Sequence, residues 1–118
     1  MALVVGNNMN IREKRTEIYF KKIGCLVHTV SKPSRFGQSH DMFGLWDHII
    51  VPSADIIVGT DTILLGETIY IQTKSRKQYG KDLIKYYDFP AKWKYLFIWI
   101  KNDKGRYELT HQTLTKGT

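Results

Sequence analysis

Cysteine is almost missing from this sequence: Cys25 is its single thiol. One cysteine can form no intrachain disulfide and no thiolate zinc cluster, which points to a reducing, intracellular setting. Placed between Gly24 and Leu26-Val27, it reads as a small buried core residue rather than a nucleophile. Long hydrophobic runs are missing as well. The opening "MALVVGNNMN" has a short apolar stretch without a basic n-region, too short for a signal peptide or a membrane span. Residues 1–9 are therefore expected as a loose N-terminal segment, and no membrane partner is expected. Proline is scarce at 3 residues while aromatics reach 13%, a balance that argues against chain-wide disorder. Acid is the scarce charge: 18 Lys plus Arg stand against 11 Asp plus Glu, giving +7. A small domain with a pI near 9.5 favours a polyanionic partner, of which nucleic acid is the commonest. The 118 residues suffice for one core, so a single domain over 1–118 is expected.

What is present alternates helix and strand signals. "NIREKRTEIYFKKIG" carries Ile11, Ile18, Tyr19 and Ile23 as an apolar stripe between charges, with Asn10 as N-cap and Gly24 as the stop. "CLVHTV" reads as a strand, and "SKPSRFGQSHDMFG" has the composition of a loop. "LWDHIIV" resumes a strand, with Trp46, His48 and Ile50 on one face and Leu45, Asp47, Ile49 and Val51 on the other. Asp47 is then a carboxylate on an apolar face, which is costly without a partner or a role. "PSADIIVGTDTILLGE" fits either a hairpin turning near "GTD" or an irregular excursion. "ETIYIQTK" is a third strand, "YGKDLIKYYDFP" a helix with Leu83, Ile84 and Tyr87 at helical spacing, "KYLFIWI" a buried strand, "KNDKGR" a turn and "YELTHQ" a final strand. This order predicts an α/β fold with a central mixed sheet of four to five strands flanked by helices.

The third strand ends abruptly in Gln72, Thr73 and Lys74. Alternation puts Gln72 and Lys74 on one face, an amide beside an amine. With Asp47 on the neighbouring strand and an acid on the first helix, Glu13 or Glu17, they could form a phosphodiesterase site. Such a site needs an oxygen cage for a divalent cation and a positive group near the attacking water or the pentacovalent phosphate. The candidate cage is Asp47, the Gln72 side-chain oxygen and the Thr73 backbone carbonyl, holding Mg²⁺ or Mn²⁺, with Lys74 as the point charge. The bland alternatives are a solvated strand tip for Gln72 and Lys74, and ordinary surface pairs for Glu13 among Arg12, Lys14 and Arg15. His28, His40, His48 and His111 lack tight ligand spacing and read as structural or surface residues.

The series helix-Glu, then "WD", then "QTK" resembles the PD-(D/E)XK nuclease superfamily in its Q-x-K form, and most resembles small Holliday-junction-resolvase-like nucleases of archaea and viruses. "EKRTEIYFKKIG" is similar to their first helix, and "DMFGLWDHIIV" resembles a "DLFGxxDil" pattern of phage-encoded members. The likeness runs from about Arg12 to Arg106. It implies a restriction-endonuclease-like core, selects Glu13 over Glu17 because the catalytic Glu falls near the helix start, and implies a homodimer acting on branched or duplex DNA. The phage-like string implies a viral or mobile-element origin, hence the host cytoplasm. Gln72 stands where most members carry an acid, which removes one negative charge from the cage. Related resolvases use a Ser in the loop between the first two strands, and both Ser34 and Ser39 fit.

Nucleic-acid contacts are expected from Arg15, from Ser34, Arg35 and Ser39, and from Arg76, Lys77, Lys81 and Lys85 in the basic run that extends to Lys92 and Lys94. That run, interleaved with Tyr79, Tyr86, Tyr87 and Trp93, is otherwise a solvated face; after the catalytic strand it would track a phosphate backbone without reading sequence. Tyr86, Tyr87, Trp93 and Trp99 would supply apolar area for a dimer face. Two competing functions remain: a nucleic-acid-binding protein on the same scaffold without cleavage, and a protein-interaction subunit whose basicity is incidental.

Overall fold

In the computed structural model, which describes residues 10–30 and 45–114, the chain begins with a helix fixed at both ends by its own sequence. The Asn10 side chain accepts from the Glu13 N–H at 2.9 Å, and the Glu13 carboxylate accepts from the Asn10 N–H at 3.1 Å. This reciprocal capping box opens α1, Ile11–Lys22, and satisfies donors that a helix start leaves over. Gly24, at φ 87°, turns the chain out of α1 through a left-handed conformation that costs glycine little.

Helical periodicity in α1 is as expected, but its phase is not. The face turned to the protein carries Glu13, Thr16 and Phe20, whereas Ile11, Ile18 and Ile23 are exposed, Ile18 at 51%. Aromatic anchoring sets the rotation. Phe20 stacks on Phe97 with ring centroids 5.1 Å apart, and Tyr19 meets the same ring edge-on at 5.4 Å.

Five strands form the mixed central sheet in the order β1-β2-β5-β6-β7: β1 Cys25–Thr29, β2 His48–Pro52, β5 Ile69–Lys74, β6 Trp93–Lys101 and β7 Tyr107–Thr113. Neighbours are antiparallel except β5 and β6, which run parallel from Ile69↔Trp93 to Lys74↔Ile98. A parallel pair needs a crossover. Here it is a 3₁₀ turn, Gly80–Leu83, leading into the short helix α2, Ile84–Tyr87. Leu83 and Tyr86 point inward and Ile84 outward, one position off the expected pattern.

The segment after β2 is the hairpin that the "GTD" signal suggested, β3 Ile56–Val58 and β4 Asp61–Ile63. Gly59 turns it at φ 63°, and a Cβ there would stand 2.6 Å from His111 Nε2, so both backbone and space demand glycine. The hairpin and α1 cover one face of the sheet, enclosing Phe20, Ile50, Val58, Ile69, Ile71 and Phe97. Tyr95 locks the hairpin down by donating to Asp61 Oδ2 at 2.7 Å. The opposite face packs Trp46, Leu83, Tyr86, Leu96, Ile98 and Leu114 under α2. Cys25 is buried in the first of these cores, and burial pushes its thiol up. No helix among the described residues is long and apolar enough to cross a membrane.

Several residues expected at the surface belong to these cores. Lys94, counted in the basic run, is 1% exposed. Its ammonium donates to the carbonyls of Tyr86 at 2.7 Å, Tyr87 at 2.9 Å and Phe89 at 2.8 Å, collecting the carbonyls that the end of α2 leaves over. Tyr86 and Trp99 are buried too, so they supply no dimer face.

Replacing Lys94 by Met keeps the stem and deletes those bonds. Urea unfolding is expected to show a loss of about 2–4 kcal/mol; a loss below about 0.5 kcal/mol would show that the carbonyls do not depend on Lys94. Tyr95 gives a pH-dependent check. Burial, reinforced by Asp61, raises its phenol above the ordinary value, which is about 10. A raised folded value means that the stability is fully present below about pH 10 and is lost as pH rises past it, because the unfolded chain ionises first. Wild-type stability should fall more steeply than that of Tyr95→Phe above about pH 10. Parallel profiles would refute this.

Candidate functional site

Strand β2 is shorter than its sequence pattern suggests. It starts at His48, and Asp47 lies in the bend just before it rather than on a strand face. The physical reason is a side chain that replaces a backbone partner. Pairing of β2 with β5 reaches His48↔Ile71, and the Asp47 N–H still donates to the Ile71 carbonyl at 2.9 Å. At the next position a carboxylate takes over: Asp47 Oδ2 accepts from the Thr73 N–H at 2.9 Å and from the Thr73 hydroxyl at 2.7 Å. Asp47 is 2% exposed, and these donors are what make a carboxylate tolerable there. Within a strand, the N–H and C=O of one residue point to the same side. The Thr73 carbonyl therefore faces the edge where Asp47 sits.

Gln72 and Lys74 share a face of β5 with Tyr70, the face that α2 covers. Gln72 is 8% exposed, and its Oε1 has no hydrogen-bond partner among the described residues. Lys74, the last residue of β5, is partly exposed and lines a cavity of about 300 Å³ together with Gln78, Lys81, Asp82, Lys85 and Tyr86. Asp47, Gln72, Thr73 and Lys74 thus lie at one end of the sheet, with the Thr73 side chain that holds Asp47 on the face opposite to Gln72 and Lys74.

Glu13 comes to the same end from the α1 side. The start of α1 is tied to the end of β6, where Arg12 Nε donates to the Trp99 carbonyl at 2.9 Å and Trp99 Nε1 to Thr16 Oγ1 at 2.8 Å. Because β5 and β6 are parallel, that end of β6 lies beside Lys74. Glu13 is 2% exposed and one of its oxygens serves the helix cap. Arg15 stacks its guanidinium 4.9 Å from the Tyr107 ring centroid. Arg76, Lys77, Lys81 and Lys85 are exposed after β5. Ser34, Arg35 and Ser39 lie outside the described residues.

A polar chain on the α1 face went unseen in the sequence. Fully buried His48 has Nδ1 2.9 Å from Thr29 Oγ1, and that hydroxyl donates to Glu17 Oε2 at 2.6 Å. With its proton committed to Glu17, the hydroxyl accepts from His48 Nδ1–H. Burial alone would raise the Glu17 carboxyl; the Thr29 hydrogen bond, with Lys21 and His48, outweighs it and holds Glu17 below the ordinary carboxylate range. Only the period of four between Glu13 and Glu17 hinted that two acids of α1 would lie on related faces.

No group of three or more His, Cys, Asp or Glu side chains suited to a metal ion occurs among the described residues. The oxygen donors at the β5 tip are one carboxylate, one side-chain amide and one main-chain carbonyl. Compared with known proteins, the chain matches no family model, no curated protein and no solved structure.

Removing the Thr73 hydroxyl tests how firmly Asp47 is held. Thr73→Val is expected to lower stability by about 1–2 kcal/mol in chemical unfolding, and Thr73→Ser to restore most of it. If Ser and Val behave alike, the hydroxyl does not carry the contact.

Proposed function

We propose that this protein is a metal-dependent DNA endonuclease with a site of the PD-(D/E)XK kind in its Q-x-K form. The observation that carries this reading is the Asp47 carboxylate, buried and fixed at the tip of β5 by Thr73, the residue between Gln72 and Lys74. The order of elements supports it. A helix, an antiparallel run β1-β2-β5, a crossover and the parallel strand β6 are in keeping with a restriction-endonuclease-like core.

The residues present fit a divalent cation. Asp47, the Gln72 side-chain oxygen and the Thr73 carbonyl would hold Mg²⁺ or Mn²⁺, and the buried Gln72 Oε1, without a hydrogen-bond partner among the described residues, is the observation that favours this. Such an ion supplies neutralisation of phosphoryl charge and a more acidic water. Thr73 keeps Asp47 oriented. Lys74 places a positive charge where the phosphate gathers negative charge in the transition state. Glu13 comes to this end of the sheet from the α1 face, opposite to Gln72 and Lys74, and would take no part in the cage. Arg76, Lys77, Lys81 and Lys85 would follow the DNA backbone. The resemblance also implies a homodimer that presents two sites to branched DNA.

One observation favours the second reading, a DNA-binding protein that does not cut: the acid-poor donor set, in which Gln72 contributes no charge.

Cleavage of labelled four-way-junction and duplex DNA with Mg²⁺ or Mn²⁺ separates the two. Asp47→Ala and Lys74→Ala should each reduce metal-dependent cutting by about 100-fold or more, and Gln72→Glu should tighten metal binding. Salt-sensitive binding to both DNAs without metal-dependent cutting would sink the nuclease reading in favour of the binding protein.

A further inference from the structure

The cavity at the tip of β5 concentrates three of the lysines that the proposed function places along the DNA backbone or at the reacting phosphate. Lys74, Lys81 and Lys85 line it against the single carboxylate of Asp82. Like charges around one concavity repel one another. An anion between them removes that repulsion. At about 300 Å³ the cavity lies at the small end of the range for ligand sites, enough for one sugar-phosphate unit.

Its walls are held in place by contacts on three sides. Lys74 ends a strand paired with β6. The main chain of Gln78 is pinned to β7 from both directions, its N–H donating to Gln112 Oε1 at 3.0 Å and its carbonyl accepting from Gln112 Nε2 at 3.1 Å. The Lys85 ammonium stands 5.2 Å from the Tyr86 ring centroid, within cation–π range. Tyr86 is the one aromatic wall. At 1% exposure it offers no face on which a base could stack, so the chemistry recognised here is that of phosphate, not of a base.

We infer that this cavity is a phosphate subsite: Lys74, Lys81 and Lys85 hold a phosphate group of the nucleic-acid strand next to the one that reaches Asp47 and Gln72. For the identity of that strand the inference rests on the reading proposed above. Lys74 belongs to both places. It lies about 6.5 Å beyond Gln72 along the strand, a separation of the order of one nucleotide, so the subsite would fix which phosphate comes to the cage.

The test is the binding of a 3′-fluorescein single-stranded DNA 12-mer followed by anisotropy over a salt series, with a chelator present so that cutting plays no part. Lys81→Ala and Lys85→Ala change exposed residues and leave the cores intact. Each is expected to weaken binding several-fold and to make the slope of log K against log salt shallower by about 0.7, the loss of one phosphate contact on a single strand. Lys22→Ala, an exposed residue at the far end of α1, should match wild type. Comparing 12-mers with a 5′-phosphate and a 5′-hydroxyl separates the sources of the phosphate: a gain from the 5′-phosphate that vanishes in Lys81→Ala assigns a terminal monophosphate, and equal binding of the two assigns an internal phosphodiester. Wild-type affinity and slope in both lysine variants would overturn the subsite, even if the protein cuts DNA. Lysine-dependent binding without any cutting would keep the subsite and remove the nuclease.

Discussion

Where β2 stops beside β5, a carboxylate takes the place of a strand carbonyl, and the rest of the candidate site depends on that exchange. Had β2 continued, the Thr73 N–H would pair with backbone and β5 would be flanked to its last residue. Instead Asp47 Oδ2 receives the Thr73 N–H and hydroxyl, and β5 runs on to Lys74 with β6 as its remaining partner. The sheet therefore ends in a step. At that step lie a buried acid, held from the bend before β2 by its bond to Thr73, and the buried amide and partly exposed amine of β5. Groups held this way need little reordering when a ligand arrives, which is the condition for electrostatic preorganisation.

The same solution recurs through the interior. Lys94 answers three carbonyls at the end of α2, Tyr95 answers Asp61, and Glu17, Thr29 and His48 form a chain under α1. Each sets a polar group in a low-dielectric region against a matched partner, since a buried donor or acceptor left alone costs far more than a hydrogen bond gains. The structural roles of these groups separate them from Gln72, whose Oε1 is buried without such a partner among the described residues. An amide oxygen in that condition, one strand away from a fixed carboxylate, is a feature of this fold that packing alone does not explain.

Much of the architecture was legible because local chemistry and global fold agree. Asn10 and Gly24 mark the ends of α1 through capping and a left-handed turn, "ETIYIQTK" is β5 from its third residue on, and of the two readings left open after β2 the hairpin at "GTD" is the one observed, turned by Gly59. Failures came where tertiary contacts decide. The isoleucines of α1 lost to Phe20 and Tyr19, because two aromatic rings packed on Phe97 outweigh a stripe of single isoleucines in setting the helix rotation. Lys94 looked like one more surface cation, since nothing local reveals that three carbonyls will converge on it. Asp47 was placed on a strand face by alternation, whereas its carboxylate completes the ladder, and the bond to Thr73 that makes this possible spans 26 residues. Periodicity describes what a strand does with its own side chains; it says nothing of a side chain that acts as backbone for its neighbour.

On the proposed reading, an amide rather than an acid at position 72 alters the electrostatics in two directions at once. A cage with one carboxylate attracts a divalent cation less strongly than a cage with two. It also repels a polyanion less, and it does so in a chain that carries +7 overall and sets Lys74, Lys81 and Lys85 around the adjoining cavity. If the protein binds both, lower intrinsic affinity for the ion would be offset when the polymer is bound, because a phosphate would bring negative oxygens to the same place. Ion and nucleic acid would then bind with positive coupling, each raising the affinity for the other by the same factor. The sparse acid in this site and the excess of lysine beside it are two halves of one charge balance.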